Sequence, residues 1–172
     1  MGGELQASFR KAMRTLTSAV CVISTAHEGR RFGMTATAVT SVSADPPSLL
    51  ICVNRNASLH GPVLAVGRFC LNILRAHQTE LADGFGGARA GEDRFQCGAW
   101  SEGPCGLPCL EGAQANICCD VDAAHTYGTH SIIVGRVVDV HVSGTVTPLI
   151  YQDGRYTVGL GEGVDWVVSV GG

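Results

Sequence analysis

The fold class is decided between residues 19 and 53, which read AVCVISTAHEGRRFGMTATAVTSVSADPPSLLICV. Residues 19–25 are β-branched or small and mostly apolar, which favours an extended strand. A turn at His27-Glu28-Gly29-Arg30 leads into a second extended run, residues 31–43, and the two runs predict a β-hairpin. Asp45-Pro46-Pro47 ends this run because neither proline can donate to a sheet. Residues 48–53 are apolar almost throughout, so we expect a strand buried on both faces.

The neighbouring segments predict short helices and one more strand. Residues 4–16 carry apolar side chains at helical spacing, so they predict an amphipathic helix whose apolar stripe packs on the β-structure. That stripe is Leu5, Phe9, Ala12, Met13 and Leu16. Residues 57–66 predict a short helix interrupted by Gly61-Pro62, residues 68–74 a strand and residues 77–85 another helix.

The C-terminal half predicts a long excursion followed by strands. Residues 86–112 are rich in Gly, Pro and polar side chains without a clear period, which indicates a long ordered loop. Residues 115–121, 130–142 and 149–160 predict three more strands, the last folded at Asp153-Gly154. About six strands without β-α alternation favour a mainly β fold, a closed antiparallel barrel with a few helices. No GxGxxG follows a strand, which argues against a Rossmann fold.

Length and charge exclude several classes of function. The chain has 172 residues of which 45% are hydrophobic, enough for a single domain spanning residues 1–172. A net charge of −3 offers no electrostatic attraction to nucleic acid or to an anionic membrane. Residues 1–16 contain charges among the apolar positions and no continuous apolar stretch, so we expect a cytoplasmic protein.

Eight cysteines raise the question of disulfides or a metal. In a cytoplasmic protein we expect them to be reduced thiols, with Cys21, Cys52 and Cys70 in core strands. The closely spaced group Cys105, Cys109, Cys118 and Cys119 is compatible in part with a zinc site. Adjacent residues of a strand point to opposite faces, however, so Cys118 and Cys119 would not converge on one ion. We therefore expect no metal.

Short motifs follow one another along residues 9–160. The N-terminal ones are Phe9-Arg10-Lys11-Ala12-Met13, Gly33-Met34-Thr35-Ala36-Thr37, Ser41-Val42-Ser43, Asp45-Pro46-Pro47, and Asn54 with Ser58. The later ones are Phe69-Cys70-Leu71-Asn72-Ile73-Leu74, Gln78 with Leu81-Ala82 and Phe85, Asp93-Arg94-Phe95, Gly128-Thr129-His130 with Val134-Gly135, and Pro148-Leu149-Ile150-Tyr151 with Gly154 and Tyr156. In this order and spacing they resemble the flavin reductase-like family, which includes reductase components of two-component monooxygenases. The resemblance implies a homodimeric split β-barrel that binds flavin.

Residues 34–38 are the first candidate flavin contact. Met34-Thr35-Ala36-Thr37-Ala38 has hydroxyls at alternate positions with little bulk between them, so a flat ring could lie against the backbone with Thr35 or Thr37 donating to it. The alternative is a strand with solvent-facing threonines. The resemblance favours the flavin contact and also implies that Cys52 lies in the pocket.

The flavin phosphate has its own candidate residues. Asn54, Ala57 and Ser58 lie between a strand and a helix start, where free N–H groups attract a phosphate; alternatively, Ser58 or Asn56 caps the helix. The resemblance implies further contacts from Phe85, Gly86 and Arg94, for which the alternatives are a core aromatic and a surface ion pair. It also adds Tyr151 and Tyr156.

His130 is the candidate catalytic residue. The resemblance implies Gly-Asp-His at residues 128–130, with the histidine beside the nicotinamide. This chain has Thr129 in place of the aspartate, so the imidazole lacks a neighbouring carboxylate. A structural histidine at a strand start is the alternative. We expect the other five histidines to lie on the surface or in loops.

The resemblance implies an NAD(P)H:flavin oxidoreductase. Hydride passes from NADH or NADPH to FMN or FAD, and reduced flavin diffuses to a partner oxygenase. Stacking of two rings needs no nucleophile or metal, and the sequence contains no catalytic triad. Two alternatives remain open: a reductase with tightly bound FMN that acts on a corrin or metal complex, and a non-catalytic flavin- or haem-binding module.

Overall fold

The computed structural model describes residues 2–159, which form three α-helices and twelve strands. The helices are α1 (Gly2–Arg14), α2 (His60–Val66) and α3 (Thr79–Asp83). The strands are β1 (Ser18–Ala19), β2 (Cys21–His27), β3 (Arg30–Ala36), β4 (Val39–Ala44), β5 (Pro47–Asn54), β6 (Arg68–Ile73), β7 (Trp100–Glu102), β8 (Pro108–Leu110), β9 (Ala115–Tyr127), β10 (His130–Val142), β11 (Leu149–Gln152) and β12 (Arg155–Val158). The mainly β class is confirmed, with more strands than the sequence predicted.

Seven strands form one antiparallel sheet in the order β3-β2-β6-β9-β10-β5-β4. β3 and β4 lie at its two edges, yet only Thr37 and Ala38 separate them in the chain. Two residues span at most about 7 Å, so the sheet curls until its edges approach each other at this point. The predicted continuous run over residues 31–43 is therefore wrong: it is broken at Thr37-Ala38, and its halves pair with different neighbours.

The predicted turns are confirmed. β2 and β3 form the expected hairpin, with Glu28 and Gly29 at positive φ in its turn. β11 and β12 fold back on each other at Asp153-Gly154, where both residues also have positive φ. Glycine and aspartate tolerate this left-handed conformation better than most residues do, so the local sequence was informative here. Residue 160, at the end of the predicted last strand, lies outside the described residues.

β5 is buried on one face only. Leu49, Ile51 and Val53 belong to the main core, whereas the alternate residues Leu50 and Cys52 are half-buried. The expectation of a strand buried on both faces, and of Cys52 in the core, was wrong because an antiparallel strand turns alternate side chains to opposite faces. The second face of β5 borders a cavity.

The helices differ from their predicted form. α1 forms over nearly the expected residues, but its apolar stripe is exposed, with Leu5 at 74% and Phe9 at 61% of full exposure. The expectation that this stripe packs on the β-structure of its own chain is therefore wrong. α2 begins at His60 instead of residue 57, and Pro62 lies in its first turn, where a missing N–H costs no helical hydrogen bond. α3 ends at Asp83 and continues as a π-helical turn, Gly84–Ala88.

Residues 86–112 contain more regular structure than the predicted loop. A 3₁₀ helix, Gly91–Gln96, is followed by the β7–β8 hairpin. Phe85, Phe95 and Trp100 pack with ring centroids 5.0–5.2 Å apart and join these pieces to the core. Within residues 2–159, no helix is both long and apolar enough to cross a bilayer.

The cysteines are only partly as expected. Cys105 and Cys118 form a disulfide, so the expectation of eight reduced thiols was wrong for this pair. The other six cysteines are free. Cys118 and Cys119 do point to opposite faces of β9, because they belong to different core clusters. Burial raises the pKa of Cys21 and Cys119 to about 12, so both thiols stay protonated.

Candidate active site

A groove opens where the chain passes from β3 to β4. The backbone N–H of Cys52 donates to the carbonyl of Ala38 over 3.1 Å, which holds the connection against β5. Two cavities, of about 600 and 570 Å³, meet here, and both are lined by Thr37 and Tyr151. Each has the volume of a pocket for a small organic ligand. Together they are called the β3–β5 groove below.

The first cavity of the β3–β5 groove lies on the half-buried face of β5. Among the predicted flavin contacts it is lined by Thr37, Ala38, Cys52 and Tyr151. Leu50 shares the face of Cys52, and the cavity is also lined by Phe9 and Met13 of α1 and by Leu16 just after the helix. This cavity is therefore mostly apolar and suits a flat aromatic ring.

The second cavity brings together Thr35, Ala36, Gly86 and Tyr156. The Thr35 hydroxyl donates to the Ala82 carbonyl over 2.6 Å, whereas the Thr37 hydroxyl makes no hydrogen bond within residues 2–159. Of the two predicted donors, Thr37 is thus the one available to a ligand.

Tyr156 is held at the wall of the second cavity. Its hydroxyl donates to Asp83 Oδ1 over 2.9 Å, and its ring lies 5.7 Å from that of Tyr151. Partial burial, together with this hydrogen bond, raises the pKa of Tyr156 to about 12. The phenol therefore stays neutral at physiological pH, as a donor on a fixed ring.

Arg94 connects β3 to the turn that follows β5. One of its nitrogens, Nη1, donates to the Gly33 carbonyl of β3 over 2.7 Å and to Ser58 Oγ over 3.4 Å. Its Nε donates to the Arg89 carbonyl. The guanidinium is thereby fixed beside the turn after β5, where its charge would attract a phosphate.

The turn that contains Ser58 is not a helix cap. The N-cap of α2 is Leu59, which makes no side-chain cap bond, so the capping alternative for Ser58 and Asn56 is wrong. Asn54 Oδ1 instead accepts from the Asn56 N–H over 2.9 Å. In the part of the chain that the structure describes, the N–H group of Ser58 makes no hydrogen bond and belongs to an exposed residue, so it is free for an anion.

Three predicted contacts point into the protein. Met34 and Ala57 pack against the main core, and Phe85 is only 2% exposed. A Cβ on Gly33 would lie 2.6 Å from the Phe85 ring, so this strand and this ring are in tight contact. These residues do not offer their side chains to the groove; only their backbone could approach a ligand.

His130 lies at the exposed start of β10. It is paired in register with Asn54, two residues along β5 from Cys52, or about 7 Å. Its Nδ1 is 2.9 Å from Thr129 Oγ1, so the threonine hydroxyl orients the ring in the place of the missing carboxylate. The other ring nitrogen remains free for a ligand within the described residues.

Sequence reasoning missed several residues of the groove. Leu50 could have been found, because it is two residues from Cys52 on a strand and so shares its face. Val20, between β1 and β2, and Ala82 and Asp83 of α3 come from segments whose local pattern carries no signal of a ligand.

Several known proteins are similar in sequence to this chain. Residues 13–159 match the flavin reductase like domain family. The chain is 42% identical over 150 residues to the FMN reductase (NADH) RutF of Agrobacterium fabrum, covering 87% of this chain and 86% of the relative. It is 42% identical over 151 residues to the reductase component of the FADH(2)-dependent resorcinol hydroxylase of a Rhizobium species, covering 87% and 84%.

A solved structure shares the fold. BorF, the flavin reductase component of a bacterial two-component tryptophan halogenase, superposes with a TM-score of 0.83 at 31% identity, over 89% of this chain and 97% of BorF. Sequence motifs, groove and relatives therefore agree: the chain belongs to the flavin reductase like domain family.

Proposed function

We propose that this protein uses NADH or NADPH to reduce FMN or FAD and releases the reduced flavin to a partner oxygenase. The observation that carries the proposal is the β3–β5 groove, a mostly apolar slot lined by Thr37 and small residues. Arg94 and Ser58 do not line its two cavities, but Arg94 contacts the Gly33 carbonyl, two residues along β3 from Thr35, and offers a positive charge there. The relatives named above, an FMN reductase (NADH) and two reductase components of two-component systems, support it. We expect it to act in the cytoplasm.

The groove supplies the contacts that a flavin needs. Thr37 offers a free hydroxyl to the polar edge of the ring, and small Ala36 and Ala38 let the ring approach the backbone. Arg94, Ser58 Oγ and the N–H group of Ser58 would hold the phosphate. When bound, the flavin accepts a hydride at N5 from C4 of the nicotinamide.

His130 would position the nicotinamide. It lies on the surface beside Asn54, where a second, exchangeable ligand could reach it. Hydride transfer depends on the stacking of two rings and requires no protein proton donor at C4. Its task is therefore orientation, through the ring nitrogen that Thr129 leaves free.

We further propose that two chains form a split-barrel homodimer. The exposed Phe9 and Met13 of α1, and Leu16 just after it, line the first cavity, so this cavity borders an apolar surface that one chain leaves uncovered. A second copy of the chain would bury the stripe and close the cavity, as symmetric dimers commonly do. The flavin would then bind between the two subunits.

Steady-state oxidation of NADH and NADPH, with FMN, FAD and riboflavin in turn, tests the proposed reaction. We expect oxidation that depends on added flavin, with FMN or FAD preferred over riboflavin because riboflavin lacks the phosphate that Arg94 would bind. Tight flavin binding without oxidation of either nicotinamide would overturn the proposal in favour of a flavin-binding module.

A further inference from the structure

Three cysteine sulfurs come together beneath the β7–β8 hairpin, on the opposite side of the sheet from the main core, and a fourth is bonded to one of them. The Sγ atoms of Cys70, Cys109 and Cys118 all lie within 4.8 Å of one another, and Cys70 Sγ and Cys109 Sγ are 3.5 Å apart. Cys105 Sγ joins the group through its bond to Cys118. None of these side chains belongs to the β3–β5 groove.

Three parts of the fold bring these cysteines together: β6, β9 and the β7–β8 hairpin. Cys70 of β6 and Cys118 of β9 are direct cross-strand partners on one face. Cys109 of β8 lies over them, and the loop between β7 and β8 adds Cys105. Cys119 points into the main core, so the sequence argument against it as a ligand was correct. What the sequence could not show is that Cys70, 35 residues before Cys105, supplies the fourth sulfur.

The loop over the cluster is shaped to approach the sulfurs. A Cβ on Gly103 would collide with Cys109 Sγ, so only glycine allows the backbone this close. Gly106 has a φ of +72°, which turns the chain back toward Cys109. Cys70, Cys109 and Cys118 are at most 9% exposed. A closed, largely buried site is typical of a structural metal.

We propose that Cys70, Cys105, Cys109 and Cys118, when reduced, bind one Zn²⁺ ion as a tetrahedral four-thiolate site. With Zn–S bonds of about 2.3 Å, the sulfurs of such a site lie about 3.8 Å apart. The 3.5 Å between Cys70 and Cys109, and the 4.8 Å limit on the other pairs of these buried sulfurs, already approach this spacing. The ion would fasten the β7–β8 hairpin to β6 and β9.

The metal and the disulfide exclude each other, because both use the sulfurs of Cys105 and Cys118. A phosphine opens the disulfide: two thiols form, each with one proton, and the phosphine becomes its oxide with oxygen from water. The four thiols then lose their protons as they bind Zn²⁺ as thiolates. In a reducing cytoplasm the metal form would prevail, since disulfides are rare there.

The hairpin also supports the groove indirectly. Trp100 at the start of β7 packs on Phe85 and Phe95, with ring centroids 5.2 and 5.0 Å away. Phe85 in turn contacts β3 at Gly33, two residues before Thr35. The zinc site thus stabilises the layer behind the groove without touching a ligand there, and its existence does not depend on the proposed reaction.

The test uses full-length protein reduced with a phosphine under nitrogen, then given Zn²⁺ or the spectroscopic probe Co²⁺. We expect one zinc per chain by elemental analysis, and tetrahedral cobalt–thiolate absorption bands. Cys109→Ser and Cys105→Ser should weaken zinc binding by more than the roughly 10- to 100-fold that loss of a ligand's hydrogen-bonding partner costs. Gly103→Ala, which keeps every thiol, should weaken it too, because the new methyl group displaces Cys109.

Cys97→Ser is the matched control, because Cys97 is a buried free cysteine outside the cluster. It should bind zinc as the natural chain does, and far-ultraviolet circular dichroism should show all variants folded. Protein kept in the disulfide form should bind none. If the reduced natural chain binds no zinc at micromolar concentration, binds iron in its place, or loses zinc equally in Cys97→Ser, the proposal is wrong.

Discussion

Ser58 is the side chain on which the phosphate assignment depends most directly. Its hydroxyl lies 3.4 Å from Arg94 Nη1 and makes no helix cap, so Ser58→Ala should leave the fold intact. Loss of one hydrogen bond to a charged group should weaken flavin binding by roughly 1–2 kcal/mol, or about 5- to 30-fold. Fluorescence titration measures the affinity. Ser101→Ala, on exposed β7, is the control; equal affinity in both variants would contradict the assignment.

His130 provides a test of how the nicotinamide, the second ligand, is positioned. If it positions the nicotinamide, His130→Ala should raise KM for NADH or lower kcat by about ten- to a hundred-fold, with flavin affinity almost unchanged. Stopped-flow reduction of bound flavin separates the two effects. His141→Ala removes another exposed histidine of β10 and should have no effect. Flavin reduction at the natural rate in His130→Ala would make His130 structural.

Tyr156 gives a prediction about pH. Its raised pKa, about 12, means that the phenol stays protonated as pH rises through 9, well below the point at which it ionises. The ratio of kcat/KM between Tyr156→Phe and the natural chain should therefore be constant from pH 6 to about 9. Tyr127→Phe, at a residue 81% exposed, should give a ratio near one. A Tyr156→Phe ratio that changes with pH over this range would show that Tyr156 titrates.

The site could be predicted only in part at the level of single residues. The motif around residues 34–38 lies in the groove, but sequence could not choose Thr37 over Thr35, since that depends on the Ala82 carbonyl from another element. The contact of Arg94 with Ser58 joins residues 36 apart and follows from tertiary packing alone. The core positions of Met34 and Phe85 also follow from tertiary packing, so the local sequence could not predict them.

Individual strands and turns were easier to predict than their partners. The local sequence predicts the positive-φ turns at Glu28-Gly29 and Asp153-Gly154, and β10 has the predicted bounds. The local sequence does not predict the break at Thr37-Ala38, because the side chains on both sides continue the same extended pattern. Only the pairing of β3 with β2, and of β4 with β5, forces it. The groove arises at that break.

β3 itself offers a test of how its packing supports the groove. A methyl group at Gly33 would lie 2.6 Å from the Phe85 ring, so Gly33→Ala should push this ring and the turn at residues 84–88 outward. Overpacking of this kind costs about 1–3 kcal/mol in the free energy of unfolding, which urea denaturation measures. Flavin affinity should fall as well, because Gly86 lines the second cavity.

Gly61→Ala is the control for Gly33→Ala. Nothing lies within 4 Å of a Cβ at Gly61, and the residue is helical, so alanine there should be neutral or slightly stabilising. Gly33→Ala with unchanged stability and flavin affinity would show that Phe85 moves aside without cost.

At the scale of the whole molecule, one chain leaves a large apolar surface uncovered. The stripe consists of Leu5, Phe9 and Met13 of α1 with Leu16 just beyond its end; these residues are exposed by 46–74%, and all but Leu5 line the first cavity. Contiguous apolar patches of this kind mark interaction surfaces in soluble proteins. No local signal in the sequence could distinguish a stripe that packs on its own sheet from one that packs on a second chain, which is why the packing of α1 was predicted wrongly.

The dimer prediction follows from that surface. The natural chain should show twice its 17.9 kDa mass by light scattering at micromolar concentration. Phe9→Asp combined with Met13→Asp places two charges in the interface, where their desolvation is costly, and should give monomers. Flavin affinity should fall at the same time, because both side chains line the first cavity.

A charge on the other side of α1 separates the interface from the helix itself. Ala7 lies on the face of α1 opposite to the stripe, so Ala7→Asp introduces the same side chain into the same exposed helix and should leave the dimer intact. Activity per chain should also drop on dilution of the natural protein through its dissociation constant, if each pocket needs both subunits. A natural chain that is monomeric and fully active at every concentration would mean that each chain completes its own flavin site.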